Sequence, residues 1–390
     1  MNRQITFTSP KTVHFGYESL LEIKAEASKL GNKAFIITDK VMNEVGHVAK
    51  CEQLLHEARI DFYVYTGVAS EPKDKYVFEA LALFQESNAD FIISIGGGSC
   101  IDTAKAVTVL ATNDISLPQL IEQNIPLIHT PIAHIAIPTT AGTGSEVTDV
   151  TVITDTTEDV KMMLKNTSFI PSLAIVDPQF TESCPDHVVA GTGVDALCHA
   201  VEAYISKKSH KMTDTYALAA IDLIMNNLEV AYHNHADSDA KAAMSLGSLY
   251  AGLAFSNASV CLVHGMSRPL GAMFDIPHGL SNAMLLPTVL QFSKDACLEE
   301  MATIGRVFNS EMAELDVEPL ANDALDRITS LNKALQVPTL QEWGIDRNVF
   351  LQHVDKMIED AMASGSPANN PIVPTKEEMH QLYVTCYDNE

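Results

Sequence analysis

Five continuous apolar runs, each closed by polar or turn-forming residues, constrain the first half of this chain: AFIITD (34–39), FYVYTG (62–67), FIISIG (91–96), HIAIPTT (134–140) and LAIVDP (173–178). A strand with one wet face alternates apolar and polar residues, whereas an unbroken apolar run fits a strand covered on both faces of a parallel sheet. Between the runs lie ESLLEIKAEASKL (18–30), EVGHVAKCEQLLHEARI (44–60) and KYVFEALALFQES (75–87), whose apolar residues recur at helical spacing. The βαβα order predicts a doubly wound α/β domain. After about residue 185 the runs stop, and GVDALCHAVEAYIS (193–206), TYALAAIDLIMNNLEVAY (215–232) and AKAAMSLGSLYAGLAF (240–255) are Ala- and Leu-rich with helical period. Two domains are expected, an α/β domain over 1–184 and an all-helical domain over 185–390, divided in the Pro- and Gly-containing stretch DPQFTESCPDHVVAGTG (177–193). The last hundred residues read as exposed amphipathic helices that complete the second domain.

Charge narrows the partners. The chain has 25 Lys plus Arg against 50 Asp plus Glu, a formal charge of −25, which repels phosphate backbones and anionic bilayers; neither nucleic acid nor a membrane is an expected partner. Seven cysteines without a C-x-x-C pair suit a reducing cytosol. MNRQITFTSPKTVHFGYESL has no apolar signal core, and no segment offers eighteen uninterrupted apolar residues. A soluble, cytoplasmic protein is expected.

The strand FIISI runs into Gly96, Gly97, Gly98 and Ser99 and then into the helical CIDTAKAVTVLAT. A strand-to-helix junction presents backbone N–H groups and a helix dipole to an anion, glycines admit it closely, and Ser99 can cap the helix or donate to a phosphate oxygen. A plain βα turn would need fewer glycines, although this is not the G-x-G-x-x-G fingerprint. Asp39, closing FIITD, can accept from an adenosine ribose and would repel a 2′-phosphate, favouring NAD over NADP; it can equally be a turn residue. IPTTAGTGSEVTD (137–149) brings Thr139, Thr140, Thr143 and Ser145 to another strand end, as a polar turn or a second wall of a nucleotide cleft.

In GVDALCHAVEAY, Asp195 and His199 stand at i and i+4 on one helix face, a spacing by which two side chains reach one cation. Pro277 is placed to open a helix with His278 in its first turn, and His264 would lie on the preceding helix, pointing into the same space. One carboxylate and three imidazoles suit a divalent ion such as Fe²⁺ or Zn²⁺, acting as a Lewis acid if a position is left for substrate. His210, His233 and His235 lie in polar helical context and read as solvated.

Together GGGSCIDTAKA, PTTAGTGSE, GVDALCHAVEAY and VHGMSRPLGAMFDIPHGLSNAMLLP resemble the iron-containing (group III) alcohol dehydrogenases, which include 1,3-propanediol and lactaldehyde reductases, over about Phe15 to Pro287. The resemblance implies an N-terminal dinucleotide-binding domain and a helical C-terminal domain with a metal in the cleft between them, an architecture shared with dehydroquinate synthases. It implies Asp195, His199, His264 and His278 as metal ligands, with Fe²⁺ favoured and Zn²⁺ the other candidate. It also implies cofactor contacts from Gly97, Gly98, Ser99, Thr139, Thr140 and Lys161, and NAD preference through Asp39; Gly96, Asp102 and Thr143 complete the candidate cofactor set. The family suggests dimers or larger homo-oligomers. One departure is visible: many members carry a histidine four residues after the third ligand, and here that place is Arg268, which cannot shuttle protons near neutral pH. Arg268 could contact a substrate carboxylate, phosphate or hydroxyl, or pair with an acid such as Asp275.

These features imply reversible hydride transfer between NAD(H) and a small primary alcohol or diol and its aldehyde. The alternatives are a hydroxyacid–oxoacid transhydrogenase with internally recycled NAD and a sugar-phosphate cyclase or lyase of the dehydroquinate-synthase kind; the Asp-plus-three-His pattern argues against the latter.

Overall fold

The computed structural model describes residues 4–69, 71–121, 127–157, 160–308 and 316–388. Met1–Arg3 of the N-terminal stretch, Asp159 ahead of Lys161 and residues 309–315 and 389–390 of the tail lie outside the described residues.

Thr8–Cys184 form one unit. Its strands are β1 (Thr12–Phe15), β2 (Lys33–Asp39), β3 (Asp61–Val68), β4 (Phe91–Gly96), β5 (His134–Pro138), β6 (Val150–Asp155), β7 (Val160–Lys165) and β8 (Leu173–Val176); its helices are α1 (Ile23–Ala27), α2 (Lys40–Glu44), α3 (His47–Glu57), α4 (Asp74–Ser87) and α5 (Gly98–Leu110). Six strands form a parallel sheet in the order β1-β8-β5-β4-β2-β3. Its faces divide by the two-residue period of a strand. Phe35, Ile37 and Ile92 face Val77, Ala80, Ala104 and Val107 of α4 and α5, while Ala34, Ile36, Ile93 and Ile95 face Ile23, Ala27, Cys51 and Leu55 of α1 and α3. Covering on both sides is why these strands read as unbroken apolar runs.

β3 departs from that logic. It is the outer strand, paired only with β2, and Tyr63 is 41% exposed while its ring stacks on Phe35. Three local readings also change. Residues 18–30 form a 3₁₀ turn (Ser19–Glu22) followed by the short α1, and Gly46 at φ +84° splits 44–60 into α2 and α3. The antiparallel hairpin β6–β7 was not expected, because its alternating burial lacks a continuous apolar run.

The sheet order reverses direction between β2 and β4, so their C-terminal ends flank the switch point where open α/β sheets bind ligands. Asp39 closes one strand and Gly96 the other.

The second unit, Pro185–Glu390 with the first residues of the chain, holds α6 (Asp186–Ile205), α7 (Lys211–His233), α8 (Ser238–Ala258), α9 (Leu262–Phe274), α10 (His278–Ser293), α11 (Leu298–Phe308), α12 (Val317–Ala334), α13 (Arg347–Ala363) and α14 (Lys376–Asp388), and no strand among the described residues. The two units divide at Cys184/Pro185, inside the stretch 177–193, and residues 186–193 of that stretch form the first turns of α6. Its glycines serve packing: a Cβ on Gly193 would stand 2.3 Å from Leu228 Cδ1. α6 is long and apolar enough to cross a membrane by length and composition, but is mostly buried as a core helix.

The tail is not an exposed appendage. Tyr383 of α14 is fully buried and donates its hydroxyl to the Met266 carbonyl at 2.8 Å, while Pro367 packs where a Cβ on Gly265 would stand 2.8 Å away. The segment least legible in the sequence thus backs α9. Of the histidines expected to be solvated, His210 caps α7, accepting from Thr213 N at 3.4 Å, and His235 lies 2.5 Å from Asp186 Oδ1.

Helices α6 and α10 meet at Gly279, where a Cβ would lie 2.3 Å from the Gly191 carbonyl oxygen and 3.2 Å from Asp195 Cβ. Backbone cannot yield as a flexible side chain does, so Gly279→Ala must separate the helices. The expected cost is about 1–3 kcal/mol, read as a lower urea midpoint with unchanged m-value; an unaltered midpoint would refute this crossing.

Candidate functional site

In the α/β unit, Gly96 leaves β4 at φ +153°, where a Cβ would be 2.5 Å from Cys100 Sγ and 3.6 Å from Asp39 Oδ2. Gly97 is the N-cap of α5 and has no side chain to cap it, so Ser99 sits inside the helix and does not cap it. The N–H groups of Gly98 and Ser99 meet no protein acceptor among the described residues, as a helix N-terminus built for an anion requires. The hydroxyl loop closes over this turn. Thr139 N donates to the Gly96 carbonyl at 3.1 Å, Thr140 Oγ1 lies 3.5 Å from where a Gly97 Cβ would be, and a Gly98 Cβ would meet Thr143 Cγ2 at 2.9 Å. Asp39 uses Oδ1 to accept from Met42 N at 2.9 Å, capping α2, and Oδ2 accepts weakly from the Cys100 thiol at 3.6 Å.

Two candidates differ from this group. Asp102 is committed to the scaffold: its carboxylate accepts from Ser145 Oγ at 2.5 Å and Val152 N at 2.8 Å. Lys161 stands on β7 with its ammonium 2.6 Å from Glu71 Oε2.

In the helical unit, α6 puts Asp195, His199 and Glu202 on one face, at i, i+4 and i+7. One ligand atom each from Asp195, His199 and His264 lie within 4.8 Å of one another. Nε2 of His264, His278 and His199 stand 3.4, 3.9 and 4.0 Å from Asp195 Oδ1. The His199 ring is wedged between Phe255 and His264, with centroids at 4.1 and 4.5 Å. Glu202, 1% exposed, accepts from His264 Nδ1 at 2.7 Å, from Cys261 N at 2.9 Å and from Val263 N at 2.6 Å. With the proton held on Nδ1, the Nε2 lone pair of His264 faces the cluster, the carboxylate–histidine arrangement that orients metal ligands. Burial alone would raise the Asp195 carboxyl, but the imidazoles of His199, His278 and His264 outweigh it and hold the group below the usual carboxylate range. Burial and the neighbouring positive groups lower His278, against a partial pull from Asp195, which leaves its ring neutral and able to donate a lone pair.

Asn282 completes the cluster. Its Nδ2 donates to Asp195 Oδ1 at 2.7 Å and lies 3.2 and 3.3 Å from Nε2 of His264 and His278. One carboxamide offers two hydrogens to three lone pairs, and its own Oδ1 is buried without a hydrogen-bond partner among the described residues. Lone pairs converging on one buried point, incompletely served by protein donors, are what a cation site presents.

Two family models cover the chain: Iron-containing alcohol dehydrogenase matches residues 10–178, and Fe-containing alcohol dehydrogenase family, C-terminal, matches residues 189–387. The chain belongs to the iron-containing alcohol dehydrogenase family. It is 36% identical to lactaldehyde reductase of Escherichia coli (strain K12), over 97% of this chain and 98% of that one. It is 32% identical to NAD-dependent methanol dehydrogenase of Bacillus methanolicus, over 96% and 98%; a relative named for NADPH also matches. The crystal structure of 1,3-propanediol oxidoreductase superimposes with a TM-score of 0.94 at 34% identity, covering 99% of this chain and all of that one. This iron-containing alcohol dehydrogenase is thus an oxidoreductase of alcohols and aldehydes.

Sequence reasoning missed Glu202, Asn282 and a buried charged knot behind the hydroxyl loop. Glu202 had a signal, its place one turn beyond His199 on the same face; Asn282, one turn after His278, had the same one. In the knot, Lys105 Nζ donates to Thr148 Oγ1 at 2.8 Å and the Val150 carbonyl at 2.7 Å, with Asp102 Oδ1 at 3.9 Å. Burial pushes this lysine down to about 8, against the pull of Asp102, Asp149 and Glu146. Glu146, 2% exposed, is pushed by burial up to about 7 from 4.5, against the pull of its own backbone N–H and of Lys105. A carboxyl raised in the folded state binds more protons there than in the unfolded chain, so its contribution to stability falls as pH climbs from about 4.5 to about 7. Glu146→Gln removes that loss. Its urea midpoint relative to the parent should rise across this window and level off above it; parallel pH profiles would exclude a buried, protonated Glu146.

Proposed function

We propose that this enzyme catalyses reversible hydride transfer between NAD(H) and a small primary alcohol or diol and its aldehyde, at a divalent ion held by Asp195, His199, His264 and His278. The observation that carries the reading is the convergence of the three imidazoles on Asp195 Oδ1, with the Asn282 amide shared among Asp195, His264 and His278 and its own Oδ1 without a hydrogen-bond partner among the described residues. The donor set, a carboxylate with three imidazoles and no thiolate, fits Fe²⁺, with Zn²⁺ second. When bound, the ion supplies a Lewis acid at the substrate oxygen. The chain supplies the rest. Glu202 fixes the His264 tautomer, Phe255 fixes the His199 ring, and the Gly98 and Ser99 amides with Thr140 and Thr143 form an anion-binding turn for the cofactor pyrophosphate. None of the seven cysteines forms a disulfide among the described residues, which suits a reducing compartment.

Metal-loaded protein should consume free NADH with short aldehydes. The chelated protein should not, and Fe²⁺ should restore turnover; Glu202→Gln should weaken metal affinity about ten- to hundredfold by titration. Aldehyde turnover without net NADH consumption would replace this reading with an internal transhydrogenase.

Asp39 supports NAD over NADP, because its Oδ2 lies beside the glycine turn, where it can meet a ribose but repels a 2′-phosphate. Glycine is itself a tolerated N-cap, so Asp39→Gly should fold. We expect its NADP/NAD ratio of kcat/KM to rise about tenfold, about 1.4 kcal/mol of relieved repulsion; an unchanged ratio would remove Asp39 from the ribose site.

A further inference from the structure

Arg268 lies one turn after His264 on α9, and among the described residues one of its five N–H donors has a protein partner: Nη1 donates to Ser366 Oγ at 3.1 Å. No carboxylate stands within 4.0 Å of the guanidinium among the described residues, Asp275 included. The two acids nearest in the cluster are already engaged. Glu202 accepts three hydrogen bonds from Cys261, Val263 and His264, and Asp195 accepts from Asn282 among the imidazoles. Arg268 is itself half-buried. Burial pushes its pKa down, with only partial relief from Glu202 and Asp195, so the cation is desolvated without being paired.

Counting charges shows what is missing. With an ion bound, imidazoles that give it a lone pair are neutral, so the protein brings two negative charges, from Asp195 and Glu202, and one positive, from Arg268. A divalent ion then leaves the site with one positive charge in excess. A neutral aldehyde leaves that excess buried, whereas an aldehyde carrying one negative charge cancels it. The planar guanidinium, anchored at one end by Ser366, leaves its remaining donors for a bidentate oxyanion.

We propose that Arg268 selects substrates whose reacting aldehyde or alcohol is joined through a short chain to an anionic oxyanion group, such as a carboxylate. The inference rests on the reading of the neighbouring cluster as the site of alcohol–aldehyde exchange. A charge-assisted hydrogen bond of about 1.5–3 kcal/mol corresponds to a preference of about ten- to 150-fold.

The test pairs glyoxylate, 3-oxopropanoate and 4-oxobutanoate with propanal, butanal and pentanal, using metal-loaded enzyme and NADH. The parent should favour an anionic aldehyde at one chain length at least tenfold in kcat/KM. Arg268→Gln should erase most of that ratio, and Arg268→Lys, which keeps the charge but loses the fork, should retain part of it and guards against misfolding of the first variant. Calorimetric titration of 4-hydroxybutanoate against pentanol, with NAD present, reads the same preference without turnover. Neutral aldehydes reduced without anionic preference in either assay would overturn the role of Arg268 while leaving the dehydrogenase reading intact. Tighter, Arg268-dependent binding of the anion with no aldehyde reduced would do the reverse. Lower stability or metal content in Arg268→Gln with an unchanged ratio would make Arg268 a structural counter-charge and overturn the proposal.

Discussion

The helical unit's site depends on one carboxylate. Glu202 leaves α6 and accepts at the start of α9, where Cys261 provides no side-chain cap, so it performs three tasks at once: it satisfies two backbone N–H groups of an uncapped helix, places negative charge at the positive end of that helix's dipole, and fixes the proton of His264. Charge-assisted hydrogen bonds of this kind contribute about 1.5–3 kcal/mol each, and removing their acceptor strands two buried amides and an imidazole N–H. The direction of α9, and with it the positions of His264 and Arg268, follows from that bond set.

The two candidate sites are built by opposite means. At the glycine turn the side chains are absent by necessity: a Cβ on Gly96 or Gly98 would collide with Cys100 or Thr143, and the groups proposed to meet the cofactor are the backbone amides themselves. At the cluster the backbone is ordinary helix and the work falls to side chains at helical spacing, brought together because Gly191 and Gly279 let α6 and α10 touch at backbone distance. Glycine thus makes room for the hydroxyl loop in one unit and for another helix in the other.

This contrast explains what the sequence could reveal. Continuous apolar runs exposed β2, β4 and β5 because both faces of those strands are covered, and failed for the hairpin β6–β7 because half of each strand is not. Asp195 and His199 were legible because i and i+4 share a helix face; Glu202 and Asn282, just as close in the fold, were not, since a polar residue on a helix usually marks a wet face and only burial distinguishes the two. The boundary stretch 177–193 contains the break between the units at Cys184/Pro185, but Gly191 and Gly193, counted toward it, are packing residues inside α6. The knot around Lys105 left no trace because, apart from Asp102 on the same helix, its partners Thr148 and Val150 lie 43 and 45 residues further along the chain.

What sequence order hides most completely is the setting of Arg268. Its anchor, Ser366, lies 98 residues downstream in a segment whose composition suggested only solvent-facing helices. The same segment presses Pro367 against Gly265, and Tyr383 of the following helix binds the Met266 carbonyl. These three contacts fall within four residues of α9, from Gly265 to Arg268, so the tail fixes the helix whose first turn carries the proposed metal ligand His264 and whose next turn carries the unpaired charge. Within that geometry the cluster can stay constant while the charge facing it changes by a single substitution one turn away. Substrate preference can then shift without disturbing the atoms that do the chemistry, provided that the tail keeps holding α9 where it is.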